Sequence, residues 1–239
     1  MRISVLTLFP NLFNEFLKTS IIGIAQIKKR VKIEIINFRE YGVGKHRQVD
    51  DSVFGGGPGM ILMLDPIVRC LRSIQTDTSK TFILSPNGSV FNQPFAQDLA
   101  VNVHHLILIA GHYEGFDARI EKFVDGAISL GDYILTGGEL PAMVVIESVV
   151  RLLDGVINPK SLQHESFNCD LLDHPSYTKP AVYEGYKVPD VFLSGNHQAI
   201  AKFNHEERLR VTKLYRPDLY AKYLKKTKGN KNHGKPKSK

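Results

Sequence analysis

SLGDYILTGGELPAM, residues Ser129–Met143, sets an aspartate, a tyrosine and a threonine in a short apolar run. Two glycines follow, and then Glu139-Leu140-Pro141 open a helix-like segment. Small residues between a strand and a helix bring bare backbone close to a neighbour, because no Cβ stands in the way. Outward from this stretch, Ile3–Leu8, Val31–Phe38, Thr81–Ser85 and His105–Ala110 are short runs of Ile, Val, Leu and Phe. Continuous apolar runs of that length predict strands covered on both faces, as in a parallel sheet.

Helix-like segments lie between the strands. Asn11–Lys29 starts on a capping asparagine and ends on cations that suit a helix C-terminus. Asp65–Ile74 begins with a capping aspartate followed by a proline of the first turn. Phe95–Val101 and Pro141–Leu153 complete the set. The alternation predicts an α/β fold with a mostly parallel sheet over residues 1–155. Residues 156–170 mix Pro, Asn, Ser, His and Gln without periodicity, and read as a flexible linker or functional loop. A small, mostly helical second domain is expected over 171–225, with helices at His197–Arg210 and Pro217–Lys226. Residues 226–239 read as a disordered lysine-rich tail.

Composition excludes several classes. With 239 residues, 43% of them hydrophobic, the chain can bury a core and is not disordered throughout. No apolar run nears the roughly 18–20 residues of a membrane span, so no membrane partner is expected. Two distant cysteines without CxxC spacing suit a reducing, cytoplasmic setting. The net charge of +7 is carried by seven lysines from Lys225 onward, and residues 1–224 are formally neutral. Such a tail adds salt-sensitive attraction to phosphate without specifying a partner.

Three turns follow three predicted strands: LSPNG (Leu84–Gly88), AGHYEG (Ala110–Gly115) and SLGDYILTGG (Ser129–Gly138). Ligands of open α/β sheets bind at the C-terminal ends of strands, so these turns are candidates to line one pocket. No GxxxxGK[ST] or GxGxxG occurs; FGGGPGM (Phe54–Met60) follows the polar stretch HRQVDDSV rather than a first strand. HExxH, GxSxG and Cys-His metal spacings are also absent, so no metal ligands are assigned, and the nine scattered histidines read as ordinary. Glu139 at the start of its helix disfavours phosphate there.

FGGGPGM, LSPNG, GHYEGFDARI, SLGDYILTGGELPAM, LLDHPSYTKP and LSGNH occur in the order seen in bacterial tRNA (guanine-37-N1)-methyltransferases. The resemblance runs from LFPNLF at Leu8 to His197. It implies a SPOUT-type fold with a deep C-terminal trefoil knot, which the rarity of knots would argue against unaided. It further implies a homodimer that binds S-adenosylmethionine and methylates N1 of guanosine-37 in tRNA when another G precedes it. The anticodon stem-loop would be the partner, and magnesium an assisting ion.

Carried over by position, the cofactor pocket would comprise Leu84, Ser85 and Pro86, then Gly111, Tyr113 and Glu114. Leu130, Gly131, Asp132, Tyr133, Ile134, Leu135 and Gly138 would supply its third side. Guanine N1 is protonated at neutral pH, so a base must take that proton while donors support O6. The family places a linker aspartate there; Glu165, one methylene longer, stands in its position, with Asp170 and Asp173 as rivals. Asp173 also matches an acid near the substrate. Arg151 matches an arginine facing the guanine, or pairs with Glu147 at helical spacing for about 0.3–0.5 kcal/mol. Asp50 and Asp51 resemble residues near the acceptor, or serve as a loop cap. Lys202, Arg208, Arg210, Lys213 and Arg216 are candidate phosphate contacts. Two other functions stay open: a knotted methyltransferase acting elsewhere on RNA, and a non-catalytic RNA-binding protein that senses S-adenosylmethionine.

Overall fold

The computed structural model describes residues 1–162 and 165–232. The chain divides into two compact units, Met1–Asn158 and Pro159–Lys239. Gln163 and His164 of the expected linker, and residues 233–239 of the expected tail, lie outside the described residues.

The first unit is an α/β fold. Its strands are β1 (Arg2–Thr7), β2 (Lys32–Asn37), a small antiparallel pair β3 (Asp50–Asp51) and β4 (Ile61–Leu62), β5 (Ser79–Val90), β6 (His105–Ala110) and β7 (Gly126–Ser129). Five of them form one sheet in the order β2-β1-β6-β5-β7, every pair parallel. Its helices are α1 (Asn14–Lys18), α2 (Ser20–Ile27), α3 (Leu64–Ile74), α4 (Gln93–Asn102) and α5 (Glu139–Val150).

Period-2 alternation within the central strands separates two cores. Leu106 and Leu108 of β6 face one core with Ile22, Leu99, Val145 and Val149 from α2, α4 and α5. Ile107 and Ile109 face the other with Ile67 and Leu71 from α3. Both faces of β6 are therefore covered, which is why its sequence is a continuous apolar run. Fully burying each such side chain contributes about 1.5–3 kcal/mol. Cys70 lies in the second core, where burial pushes its thiol up to about 12 and leaves it unreactive.

Two helix expectations are corrected. Residues 11–29 are not one helix but a 3-10 turn at Pro10–Phe13, then α1, then α2. Thr19 between them is extended, and its hydroxyl donates to the Glu15 carbonyl, which ends α1 and turns the chain. Gly23 permits the return, since a Cβ there would collide with the Lys18 carbonyl. Helix α3 is capped at Met63 rather than Asp65; Asp65 sits in its first turn and pairs with Arg69 at 2.9 Å.

The second unit holds α6 (Pro159–Leu162), a 3-10 turn at Asn168–Asp170, a hairpin of β8 (Val182–Tyr183) and β9 (Tyr186–Lys187), α7 (His197–Tyr215) and α8 (Pro217–Asn232). The side chain of Asn196 caps α7 by accepting from Ala199 N–H at 3.0 Å. Helix α8 runs on to Asn232, beyond the end near Lys226 expected from the sequence. Lysines favour helix enough to continue it where no proline intervenes.

Candidate functional site: a cavity built from three turns

Strands β6, β5 and β7 are neighbours in the sheet, and the LSPNG stretch within β5 joins the turns after β6 and β7 in walling a cavity of about 310 Å³. Leu84, Ser85 and Pro86 come from the first turn, Gly111, Tyr113 and Glu114 from the second. Leu130, Gly131, Tyr133, Ile134, Leu135 and Gly138 come from the third. Of the residues expected in this pocket, Asp132 alone is not part of the wall; it is exposed.

Backbone contacts hold the turns together. Gly138 N–H donates to the Gly111 carbonyl at 2.9 Å. A Cβ on Gly138 would stand 2.7 Å from Ala110 Cα, so only glycine permits this approach. Gly131 has φ 145°, a left-handed conformation that disfavours any side chain, and its N–H donates to Ser129 Oγ at 3.2 Å. FGGGPGM meets the second turn as well. Glu114 N–H donates to the Met60 carbonyl at 2.9 Å, and a Cβ on Gly59 would come within 2.6 Å of the Glu114 side chain.

His112 is where the sequence reading of ordinary histidines is corrected. Its ring lines the cavity, packs tilted against Phe9 with centroids 4.5 Å apart, and its Nε2 lies 2.6 Å from Glu139 Oε2. Glu139 is 3% exposed, and its Oε1 accepts from the Thr7 hydroxyl at 2.6 Å. The sequence shows these three residues 27 and 132 positions apart, so no local spacing signals the cluster. His105 is buried too, between the Ser4 and Ser79 hydroxyls at 3.0 and 3.1 Å, and burial lowers its pKa. It stands at the opposite end of β6 from the cavity.

The cavity wall is mainly apolar side chain and glycine backbone, with no lysine or arginine among its described residues. That donor set does not suit a phosphate, which would need cations or free helix N–H groups. It suits a flat heteroaromatic with edge donors, joined to a cationic group. S-adenosylmethionine meets both conditions, so the residues present fit that cofactor.

The remaining candidates fall in different places. Asp50 and Asp51 form β3 rather than a loop cap, although Asp51 Oδ1 accepts from Ser52 N–H at 2.7 Å. Arg151 caps the C-terminus of α5, and its own N–H donates to the Glu147 carbonyl at 3.2 Å. In the second unit, Glu165 is half-buried, and Ser166 Oγ accepts from Asp173 N–H at 2.9 Å. Asp170 is 7% exposed and lies 2.9 Å from Lys222 Nζ, with Lys226 on its other oxygen. Burial pushes the Asp170 carboxyl up, but the two ammonium groups outweigh it and hold the pKa below the usual value. Among the described residues, no group of three or more His, Cys, Asp or Glu side chains is placed to hold a metal ion. No helix there is long and apolar enough to cross a membrane.

Among known proteins, a family model described as tRNA (Guanine-1)-methyltransferase TrmD matches residues 1–222. A tRNA (guanine-N(1)-)-methyltransferase of Mycoplasmoides gallisepticum is 55% identical over 229 residues, covering 93% of this chain and 98% of that protein. The similarly named protein of Ureaplasma urealyticum is 53% identical, over 95% of this chain and 100% of its own. That of Mycoplasma pneumoniae is 52% identical, over 97% and 100%. With a match over nearly the whole length and the family's three turns gathered at one cavity, this chain belongs to the tRNA (guanine-1)-methyltransferase family.

Proposed function

We propose that the protein transfers a methyl group from S-adenosylmethionine to N1 of guanosine-37 in tRNA, 3′ of the anticodon and preceded by G. The observation that carries this reading is the cation-free cavity made by the three turns that match the family's cofactor stretches. When bound, the cofactor supplies an electrophilic methyl on a sulfonium. The chain's part is to position the guanine and to remove its N1 proton, so that geometry provides much of the acceleration.

Glu165 is the base in this reading and accepts the N1 proton. Asp170 is a poor rival, because two lysines already hold its carboxylate and depress its basicity. Asp173 is assigned to the guanine edge, along with Asp50, and Arg151 to the charge that develops at O6. Magnesium is taken as an assisting ion, with no residue assigned to it.

The second unit is assigned to the anticodon stem-loop. Residues 159–239 carry 16 Lys and Arg against 8 Asp and Glu, whereas residues 1–158 carry 15 against 16. An open cavity of about 820 Å³ walled by Pro175, Tyr177, Pro180 and Phe192 offers rings for an unstacked base. A SPOUT-type trefoil knot is part of the proposal. Its support is the family resemblance; in the sheet, Ile128 of β7 pairs with both Leu84 and Ser89 of β5, a register shift across residues 85–88. The domain boundaries expected from the sequence, a homodimer and a cytoplasmic setting complete the reading. Leu140 and Val144, exposed and apolar on α5, support a partner surface.

Single-turnover transfer to anticodon stem-loops bearing G or A at the target position tests it. Transfer to the G substrate alone is expected, and Glu165→Gln should remove it while cofactor binding stays near wild type. Binding of the G substrate without any transfer would overturn the enzyme reading. Loss of activity in Asp173→Asn with activity retained in Glu165→Gln would reassign the base.

A further inference from the structure

We propose that Glu139 makes the cavity selective for charge, favouring the cationic sulfonium of the methyl donor over the neutral thioether left after transfer. The inference rests on the reading of the cavity as a methyl-donor site and adds a residue to which that reading gives no role.

The carboxylate is nearly sealed from water, which is costly for a charge unless donors surround it. Its neighbours are donors. Phe9 N–H donates to Thr7 Oγ1 at 2.9 Å, and the Thr7 hydroxyl donates onward to Glu139 Oε1 at 2.6 Å. His112 Nε2 lies 2.6 Å from Oε2. The Thr7 hydroxyl thus faces one carboxylate oxygen and the His112 ring the other. In the tautomer that donates Nε2–H to Glu139, His112 has its acceptor at Nδ1, and hydrogen bonds in such a chain polarise one another. The imidazole is held in place: it packs at a tilt against Phe9, and a Cβ on Gly137 would collide with Nε2. The wall that includes His112 therefore carries negative potential into the cavity. Glu114 adds to it, and no lysine or arginine in the wall offsets it.

A purely mechanical role is the competing explanation, since Glu139 also links the start of α5 to β1 through Thr7. The two differ in one observable. S-adenosylmethionine and S-adenosylhomocysteine share the adenosine and amino-acid parts and differ in the charge at sulfur. A mechanical link matters equally to both, whereas a buried negative charge acts on only one of them.

The test is calorimetric titration of both ligands into the full-length protein and its variants, with thermal unfolding showing that each variant is folded. Glu139→Gln is expected to weaken S-adenosylmethionine roughly tenfold, the scale of one charge pair across a partly screened interior, and S-adenosylhomocysteine less than about twofold. His112→Phe keeps a ring against Phe9 and cuts the path to the carboxylate. It serves if Glu139→Gln does not fold, and is expected to lower the same affinity ratio. A folded variant in which both affinities fall by the same factor, or neither changes, overturns the proposal. If the wild-type protein binds neither ligand, the methyl-donor reading itself fails, and the charge inference with it.

Discussion

The N–H of Gly138 donates to the carbonyl of Gly111 at 2.9 Å, tying the third turn of the cavity to the second. A methyl group at Gly138 would meet backbone, Ala110 Cα at 2.7 Å, which no rotamer change relieves. Gly138→Ala should therefore cost about 1–3 kcal/mol of stability and at least tenfold in S-adenosylmethionine affinity. Gly111→Ala meets the far end of the Phe116 ring at 2.6 Å, a side chain rather than backbone, and should be milder on both counts. Thermal unfolding and equilibrium dialysis check the ranking.

Asp170 anchors the 3-10 turn at the end of the expected linker to α8 through Lys222 and Lys226. Its lowered pKa means that its contribution is present above the unfolded value and is lost as pH falls through the folded one. Asp170→Asn should destabilise the protein at pH 7 by about 1–2 kcal/mol, since both lysines remain hydrated when unpaired. The gap from wild type should narrow as pH drops below about 4 and close beneath the folded pKa. Denaturant melts at several pH values measure this. Activity should persist at pH 7 if Asp170 is not the base.

The cations of α7 should divide into two groups. Arg210 is bidentate to Glu207, with contacts at 2.7 and 2.9 Å, and Lys213 is exposed. Lys213→Ala should weaken stem-loop binding at low salt and reduce the log–log salt slope by about 0.7–0.9. Arg210→Ala should mainly lower helix stability by about 0.3–0.5 kcal/mol. Binding titrations across salt concentrations, alongside thermal melts, separate the two.

Much of the α/β unit was legible because its determinants are local. The apolar runs at Ile3 and His105 identify buried strands, and both lie in the parallel sheet. The three turns were visible from their glycines, and the structure brings them to one cavity. What differed depended on contacts between particular atoms, some a few residues apart and some remote in sequence. The break at Thr19 needs Gly23 against Lys18, which a capping asparagine and a run of helix formers hide. His112 was passed over because its partner lies 27 residues away, and Thr7 is farther still from Glu139. Asp132 sits among residues that line the cavity but is exposed and not part of the wall, which the glycine pattern around it does not signal. Three of the candidate phosphate contacts, Lys202, Arg210 and Arg216, also pair with the nearby acids Glu206, Glu207 and Asp218.

Nucleoside mass spectrometry of a tRNA transcript with G at positions 36 and 37, after incubation with the protein and S-adenosylmethionine, tests the central claim most directly. One methyl group on N1 of guanosine-37, absent from a transcript with A at that position, is the predicted result. A methyl group at any other atom or nucleotide, or none at all with the transcript bound, would contradict it.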